Sequence, residues 1–152
     1  GGSHAAAICY EYPEEGAGGG GAVVSARLLG LQLRAMAAMQ PGRWLESGIV
    51  GDVFGRKRDA FAQMYGKYTY MCVVGVSPEQ QGQGMGGTLV QAVCAAADAR
   101  AQWTYVEATS ERAALLYERF GFIQLEVLQH RESAPATMLM ARAPGRSSTA
   151  DI

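Results

Sequence analysis

A glycine-rich segment in the middle of the chain has the residue types and the spacing that bind phosphate. The β-branched run Val73–Val76 stops at Ser77-Pro78, and four glycines then fall within the six residues from Gly82 to Gly87, just before a helical pattern begins. Glycine lets backbone N–H groups turn toward an anion, and the start of a helix adds a partial positive charge. The segment therefore predicts a binding loop for a phosphorylated ligand.

Two phosphorylated cofactors compete for this loop. Gly82 to Gly87 satisfies the dinucleotide pattern G-x-G-x-x-G, and Glu107 lies 20 residues further on, where an acidic ligand to the ribose is expected. The dinucleotide motif, however, has its first glycine directly after the strand, whereas Ser77 to Gln81 intervene here. Only 65 residues follow Gly87, too few for the rest of a doubly wound sheet. The dinucleotide interpretation is therefore the weaker alternative.

The same loop, written as Gln81-x-x-Gly84-x-Gly86, resembles the coenzyme A pyrophosphate loop of the GCN5-related N-acetyltransferase (GNAT) superfamily. A second segment, Ser110 to Phe122, is similar to the late helix of that superfamily, which ends in a Tyr-x-x-x-Gly-Phe signature. With the strand between them, the two motifs cover about half of the chain. A loop that is rich in glycine only for flexibility predicts neither Gln81 nor the second motif.

The resemblance implies an α/β fold with a mixed central sheet flanked by helices. It also implies an acyltransferase that moves an acetyl group from acetyl-coenzyme A to a primary amine, by direct transfer in a ternary complex and without a metal. A small-molecule amine is the expected acceptor. Two alternatives stay open, which are a coenzyme A-binding domain with impaired catalysis and a protein or peptide N-acetyltransferase.

The resemblance assigns coenzyme-binding residues to the loop, to the strand before it and to the late helix. Backbone N–H groups of the loop would bind the pyrophosphate, and backbone groups of the strand would bind the pantetheine arm. In sequence order these residues are Val74, Val76, Gln81, Gly82, Gln83, Gly84, Met85, Gly86, Ser110 and Tyr117. For Ser110, capping of the helix that starts at Glu111 is an equally good explanation.

Tyr117 and Glu107 are the candidate catalytic residues. Tyr117 occupies the tyrosine position of the late helix, so its hydroxyl would donate to the coenzyme A sulfur; the alternative is a tyrosine that packs on the core. An alkylamine has a pKa of about 10.4 and must lose a proton before it attacks. Glu107 is the candidate base, with a solvated or salt-bridged carboxylate as the alternative, and Glu11 comes after it. Some histone-type members carry a glutamate at the position of Tyr70, and a tyrosine with a pKa near 10 is a poor base.

Hydrophobic periodicity and turn residues predict the elements that position these side chains. The predicted strands are Ala5–Tyr12, Tyr68–Val76, Tyr105–Thr109, Phe122–Gln129 and Thr137–Ala141, the last two as an antiparallel pair. The predicted helices are Val23–Met39, Val53–Tyr65, Met85–Arg100 and Glu111–Phe120. The predicted inward residues are Phe54, Phe61, Met64 and Tyr65 on the second helix, and Leu89, Val93 and Ala96 on the third. Cys72 is expected to be a small buried residue and His130 a surface residue near a turn.

The chain is expected to form one acetyltransferase-type domain over residues 1–144, followed by a disordered polar tail, 145–152. In the GNAT superfamily a strand and two helices usually precede a hairpin. Ala5–Tyr12 resembles the second strand of that hairpin, and the segment 23–65 resembles the long insertion of puromycin-acetyltransferase-like members, so the opening segment would be absent. On the other alignment Ala5–Tyr12 is the first strand and the hairpin is missing. The first alignment gives Ala5–Tyr12 an unpaired outer edge that a second copy of the chain could cover, as in a homodimer.

Composition excludes several classes of function. The net charge is −1 without a basic stripe, which argues against nucleic acid as a partner. No run of about 18 apolar residues is present, so no membrane span is predicted. Two histidines cannot make a histidine-rich metal site, and the three cysteines are odd in number, which suggests reduced thiols in the cytoplasm or another reducing compartment.

Overall fold

The structure is a computed structural model that describes residues 5–13, 42–129 and 135–145, with the backbone alone for residues 42–50. The described part has the strands β1 (Ala5–Tyr12), β2 (Tyr68–Val76), β3 (Trp103–Ala108), β4 (Ile123–Leu128) and β5 (Thr137–Arg142). Its helices are α1 (Gly42–Tyr65), α2 (Met85–Asp98) and α3 (Glu111–Glu118), with a short 3-10 turn at Pro78–Gln80. The predicted helix Val23–Met39, His130 and the tail after Gly145 lie outside the described residues.

Contacts divide the chain into two compact units. One comprises residues 1–12 and 65–152 and contains the described sheet with α2 and α3; the other comprises residues 13–64 and contains α1 up to Met64. The single domain over residues 1–144 stays a prediction, as does the resemblance of the segment 23–65 to puromycin-acetyltransferase-like proteins.

The sheet is mixed, with the strand order β1-β2-β3-β5-β4. The pair β2–β3 is parallel, and the pairs β1–β2, β3–β5 and β4–β5 are antiparallel. The predicted mixed α/β sheet and the predicted antiparallel pairing of the last two strands are therefore confirmed. Among the described strands, β1 lies at one edge of the sheet and β4 at the other.

The two faces of the sheet differ in chemistry. On one face a hydrophobic core joins the strands to α2 and α3 through Met71, Val106, Met140, Val90 and Tyr117. The opposite face carries a row of tyrosines that we call the tyrosine face: Tyr10, Tyr12, Tyr68, Tyr70 and Tyr105, with ring centroids 5.2–6.0 Å apart. This separation follows from the period of two in a strand, which sends successive side chains to opposite faces.

Helix α1 is the largest departure from the prediction. It begins at Gly42 rather than at Val53, although it ends at Tyr65 as expected, with Gly66 in the left-handed conformation after it (φ +75°). Glycine inside a helix costs about 1 kcal/mol relative to alanine, which weakens a helix without ending it. The predicted inward face is also wrong in part, because Phe61 is buried whereas Met64 is 71% exposed.

A buried ion pair fixes the end of the core. The Arg142 guanidinium donates to both carboxylate oxygens of Asp98, at 2.7 and 2.8 Å, and its Nε donates to the Phe120 carbonyl at 2.9 Å. The Arg142 hydrogen bond holds the pKa of Asp98 below its usual range. One side chain therefore joins β5, α2 and the end of the segment that follows α3.

We expect Arg142→Met to lower the free energy of unfolding at pH 7 by about 3 kcal/mol, because the Asp98 carboxylate and the Phe120 carbonyl lose their donor. Asp98 has a lowered pKa when folded, so the stability it contributes is present above the ordinary aspartate pKa of 3.8 and is lost as the pH falls through the folded value. The difference between variant and parent should therefore shrink in acid. Urea denaturation over a pH series measures both effects.

Arg100→Met is the matched control, since Arg100 forms an ion pair with Glu11 at 3.8 Å with both side chains about half exposed. Exposed pairs contribute about 0–1 kcal/mol. Equal losses for the two variants would contradict the role assigned to Arg142.

Candidate active site

A cavity of about 520 Å³ lies where β2, the glycine loop and the starts of α2 and α3 meet. It brings together nearly all of the predicted coenzyme-binding residues: Val74, Val76, Gln81, Gly82, Gly84, Met85, Gly86, Ser110 and Tyr117. The sequence did not assign the remaining lining residues to the site: Gln80, Gly87, Arg112, Ala113, Leu116 and Arg119. Gln83 and Glu107 do not line this cavity. Residues from two distant motifs therefore share one concave surface.

The glycine loop leaves the first turn of α2 without a side-chain cap. Gly82 and Gly84 adopt positive φ angles of +80° and +82°, which turn the backbone into the helix. Gln81 closes the loop, because its side-chain amide donates to the Val76 carbonyl at 3.2 Å. Gly84 occupies the N-cap position and cannot offer a side-chain acceptor. The amides of the first turn of α2 are therefore available to an anion in the cavity.

Helix α3 begins differently, because Ser110 caps it. The Ala113 amide donates to the Ser110 hydroxyl oxygen at 3.2 Å. The capping role that the sequence allowed for Ser110 is present, and the residue also lines the cavity. The contrast between the two helices marks α2 as the one whose start is open for a ligand.

Strand β2 separates from β3 beside the cavity. The two strands pair from Tyr68–Trp103 to Met71–Val106, and β2 then continues to Val76 without β3. A β-bulge falls at the same place, since Ile8 pairs with Val73 and Cys9 with Met71, which leaves Cys72 unpaired. The separation opens the β3 side of Val74 and Val76, where an extended ligand can pair with backbone groups.

The bulge corrects the expectation for Cys72. Its side chain is exposed and not buried, because the extra residue interrupts the alternation of β2. The sequence carries no signal for this, since Cys72 lies within an unbroken β-prone run.

Tyr117 lines the cavity although most of its ring is buried. The residue is 7% exposed, and its ring packs against Phe122 with centroids 5.5 Å apart. Among the described residues none forms a hydrogen bond with the hydroxyl. Burial raises the pKa of Tyr117 above its ordinary value of 10.0, so the group is protonated at neutral pH and is available as a donor.

Glu107 is held by Tyr70 on the tyrosine face. The Tyr70 hydroxyl donates to the Glu107 carboxylate at 2.9 Å. Glu107 is the first residue of β3 after the last pair with β2, Met71–Val106, so its half-buried carboxylate lies where the two strands separate. The sequence had proposed Glu107 as the base and had set Tyr70 aside as a poor one; the structure joins them into a single hydrogen-bonded pair.

Glu11 belongs to a different part of the molecule. It pairs with Thr69 near the start of β2, far along the strand from the glycine loop, and accepts a hydrogen bond from Gln102 at 2.9 Å. Arg100 also pairs with it. This network explains Glu11 as a link between strand ends, so Glu107 is the better placed of the two carboxylates.

The described residues lack two further features, a membrane-spanning helix and a cluster of metal-binding side chains. No described helix is long and apolar enough to cross a membrane. No group of three or more histidine, cysteine, aspartate or glutamate side chains within residues 5–13, 42–129 and 135–145 is arranged to hold a metal ion.

Several acetyltransferase structures resemble the chain. A mosquito arylalkylamine N-acetyltransferase like 5b has a TM-score of 0.61 at 13% identity, over 90% of this chain and 66% of that one. A Drosophila melanogaster polyamine N-acetyltransferase has a TM-score of 0.59 at 15% identity, over 91% and 68%. These two likenesses show the fold.

A Corynebacterium glutamicum acetyltransferase, described with histone acetyltransferase HPA2, is 31% identical over 53% of this chain, with a TM-score of 0.46. The chain spans 43% of the length of that protein.

The sequence itself matches the family model of the acetyltransferase (GNAT) domain over residues 43–124, which is more than half of the chain. That match includes the glycine loop, β3 and the whole of the late helix motif. The chain therefore belongs to the GNAT acetyltransferase family.

Proposed function

We propose that the protein transfers an acetyl group from acetyl-coenzyme A to the nitrogen of a small primary amine. GNAT acetyltransferases use acetyl-coenzyme A, and the observation that carries the proposal is the uncapped start of α2 beside the open edge of β2. The first-turn amides suit the pyrophosphate, and the backbone of Val74 and Val76 suits the amide-containing pantetheine arm. The Gln81 side chain donates to the Val76 carbonyl and so holds the loop against the end of β2.

The opening between β2 and β3 suits direct transfer. Coenzyme in the cavity would lie on the α2–α3 side of the sheet, whereas Glu107, held by Tyr70, lies on the tyrosine face where β2 and β3 separate. An amine approaching the thioester there would meet a carboxylate, which attracts a cation. This surrounding supports a small amine acceptor, the class represented by the arylalkylamine and polyamine enzymes that share the fold.

The chemistry assigns one proton transfer to each candidate residue. The Glu107 carboxylate takes a proton from the substrate ammonium, and the freed nitrogen lone pair attacks the thioester carbonyl carbon. The carbon–sulfur bond breaks with its electron pair on sulfur, and the Tyr117 hydroxyl donates a proton to that thiolate. The nitrogen of the adduct then loses its second proton, which restores the Tyr117 hydroxyl, and Glu107 releases the first proton to solvent, so the products are the N-acetyl amine, free coenzyme A and one proton.

The direct test is incubation with acetyl-coenzyme A and a set of acceptors that contains an arylalkylamine, a diamine, agmatine and a peptide with a free amino terminus. Thiol release and mass spectrometry of the acceptor report transfer. An N-acetylated small amine supports the proposal, whereas acetylation of the peptide alone would replace the acceptor class. Coenzyme binding without any product would identify an impaired coenzyme-binding domain, and binding of NADH in place of coenzyme A would return the dinucleotide alternative.

Gly86→Asp tests the loop without disturbing the fold. A Cβ at Gly86 would meet Leu116 Cδ2 at 3.6 Å and Val76 Cγ2 at 3.8 Å, which are ordinary contacts. A carboxylate in the first turn of α2 favours the helix, yet it repels a pyrophosphate. We expect the dissociation constant of acetyl-coenzyme A to rise at least about 10-fold, measured by calorimetry, with an unchanged or higher melting temperature.

Gly51→Asp is the matched control, because a Cβ there meets open space on α1. Gly84→Val should also weaken the coenzyme, but φ +82° strains a β-branched residue, so its effect mixes binding with folding. Wild-type affinity in Gly86→Asp would contradict the assignment of the loop.

A further inference from the structure

An exposed apolar pair lies on the tyrosine face. Ile8 of β1 pairs directly with Val73 of β2, and the two residues are 58% and 48% exposed. The neighbouring pair, Ala7 with Val74, packs against the hydrophobic core. Because successive side chains of a strand point to opposite faces, Ile8 and Val73 lie on the face that carries the tyrosines.

This apolar pair is a neighbour of Glu107. Val73 is two residues beyond Met71, the last β2 residue that pairs with β3, and Glu107 is one residue beyond the partner of Met71. On the same face Tyr10 packs edge-to-face on Tyr70 with centroids 5.2 Å apart, and Tyr70 donates to Glu107 at 2.9 Å. The carboxylate and the apolar pair therefore lie on adjoining parts of one face.

The tyrosine face has room beyond the apolar pair. The next pair on this face is Ala6 with Gly75, and both of these small residues are exposed. A Cβ at Gly75 would meet no other atom within 4 Å, so the space above this residue is open. A hydrocarbon chain that begins at the Glu107 carboxylate can therefore extend over Val73 toward Gly75.

The two parts of this surface favour different chemical groups. The Glu107 carboxylate binds an ammonium group, whereas Ile8 and Val73 favour a ligand that removes their apolar surface from water. A second ammonium group placed over Ile8 and Val73 would lose water without gaining a partner there, which is costly. The surface therefore suits a molecule that is charged at one end and apolar along the rest.

We propose that Ile8 and Val73 bind the body of the acceptor and select amines with one ammonium group and an apolar alkyl or aryl body over diamines and polyamines. The inference rests on the proposed function, since it takes the Glu107 carboxylate as the group that receives the amine. It narrows the acceptor class by two side chains that take no part in the proton transfers.

The experiment compares kcat/KM, measured as thiol release at saturating acetyl-coenzyme A, for n-alkylamines of three to six carbons and for 1,4-diaminobutane. Each methylene group that covers the apolar pair should raise kcat/KM about two- to fourfold. n-Butylamine should exceed 1,4-diaminobutane, which has the same carbon chain, by at least about 10-fold. Equal values along the alkylamine series, or a preference for the diamine, would overturn the inference.

Val73→Asp tests the apolar pair directly, because it places a carboxylate where the second ammonium group of the diamine would lie. The kcat/KM for 1,4-diaminobutane relative to n-butylamine should rise at least about 10-fold. Val73→Thr keeps the β-branched shape and should reduce the preference for longer alkylamines, which keeps the inference testable if the aspartate variant does not fold.

Ile123→Asp is the matched control, because Ile123 is 44% exposed and lies on β4 at the opposite edge of the sheet. It should leave both the chain-length dependence and the diamine ratio unchanged. An equal change in the ratio for Val73→Asp and Ile123→Asp would contradict a specific role for the pair.

The outcomes separate this inference from the proposed function. If no small amine is acetylated, the proposed function fails and the inference fails with it. Transfer to n-butylamine and 1,4-diaminobutane with equal kcat/KM leaves the proposed function standing and refutes the role of the pair alone. If Val73→Asp abolishes a dimer in light scattering and leaves the ratio unchanged, the pair is an interface between two copies and the inference is wrong.

Discussion

Removing the Tyr117 hydroxyl, as Tyr117→Phe, is expected to lower the turnover number about 100-fold while the affinity for acetyl-coenzyme A stays within about twofold. The phenyl ring keeps the packing on Phe122, so the variant loses only the proton donor for the departing sulfur. Steady-state kinetics with the best acceptor, together with a coenzyme titration, measures the two quantities separately.

The pH dependence gives an independent check on Tyr117. Burial raises its pKa above 10.0, and the protonated form is the active one, so the alkaline decline in the turnover number of the parent should begin only above that value. The phenylalanine variant should lack this decline. Tyr65→Phe is the matched control, since Tyr65 packs on Trp103 with centroids 4.4 Å apart, away from the cavity lining. Wild-type turnover in Tyr117→Phe would make Tyr117 a core residue only.

Glu107→Gln is expected to lower kcat/KM for the amine by about 10² to 10³, because the amide has nearly the same shape but cannot take the proton. Tyr70→Phe should have a smaller effect of about 10-fold, since it removes the hydrogen bond that orients the carboxylate and leaves the base in place. Acetyl-coenzyme A affinity should be unchanged in both, because neither side chain lines the coenzyme cavity.

Glu11→Gln separates this assignment from its competitor. Glu11 lies in the network of Gln102 and Arg100, so its replacement should leave kcat/KM as it is, apart from a modest loss of stability seen in thermal denaturation. If Glu11→Gln is inactive and Glu107→Gln is active, the base is Glu11 and the chemical assignment of the tyrosine face is wrong.

Much of the fold followed from local patterns. The bounds of β1 and β2 are as predicted, because both strands are β-prone runs with clear ends. Pro13 follows β1, whereas the helix-capping Gly66 and then Lys67 precede β2. On α2 the predicted inward residue Ala96 is exposed and Ala97 is buried instead, a shift of one position that periodicity cannot resolve when alanines adjoin. Local patterns therefore locate elements better than they orient them.

The parts of the candidate site that lie in a recognisable sequence motif could be predicted. The parts that depend on contacts between distant residues could not. The glycine loop and Tyr117 stand in recognisable segments and meet in one cavity. The bond between Tyr70 and Glu107 joins residues 37 positions apart, and it depends on the parallel register of β2 with β3, which no local pattern encodes.

Because β2 separates from β3, these two strands are joined by fewer paired residues than their neighbours are. Only four residue pairs join β2 to β3, whereas eight join β1 to β2 and five join β3 to β5. Partial unfolding in proteins starts where the fewest interactions must break, so this junction is where the sheet can come apart first. A bound ligand that spans it adds its binding free energy to the native state, about 2.7 kcal/mol at a concentration 100 times its dissociation constant. Binding of the ligand proposed for the cavity would thereby lengthen the lifetime of the folded protein against proteases.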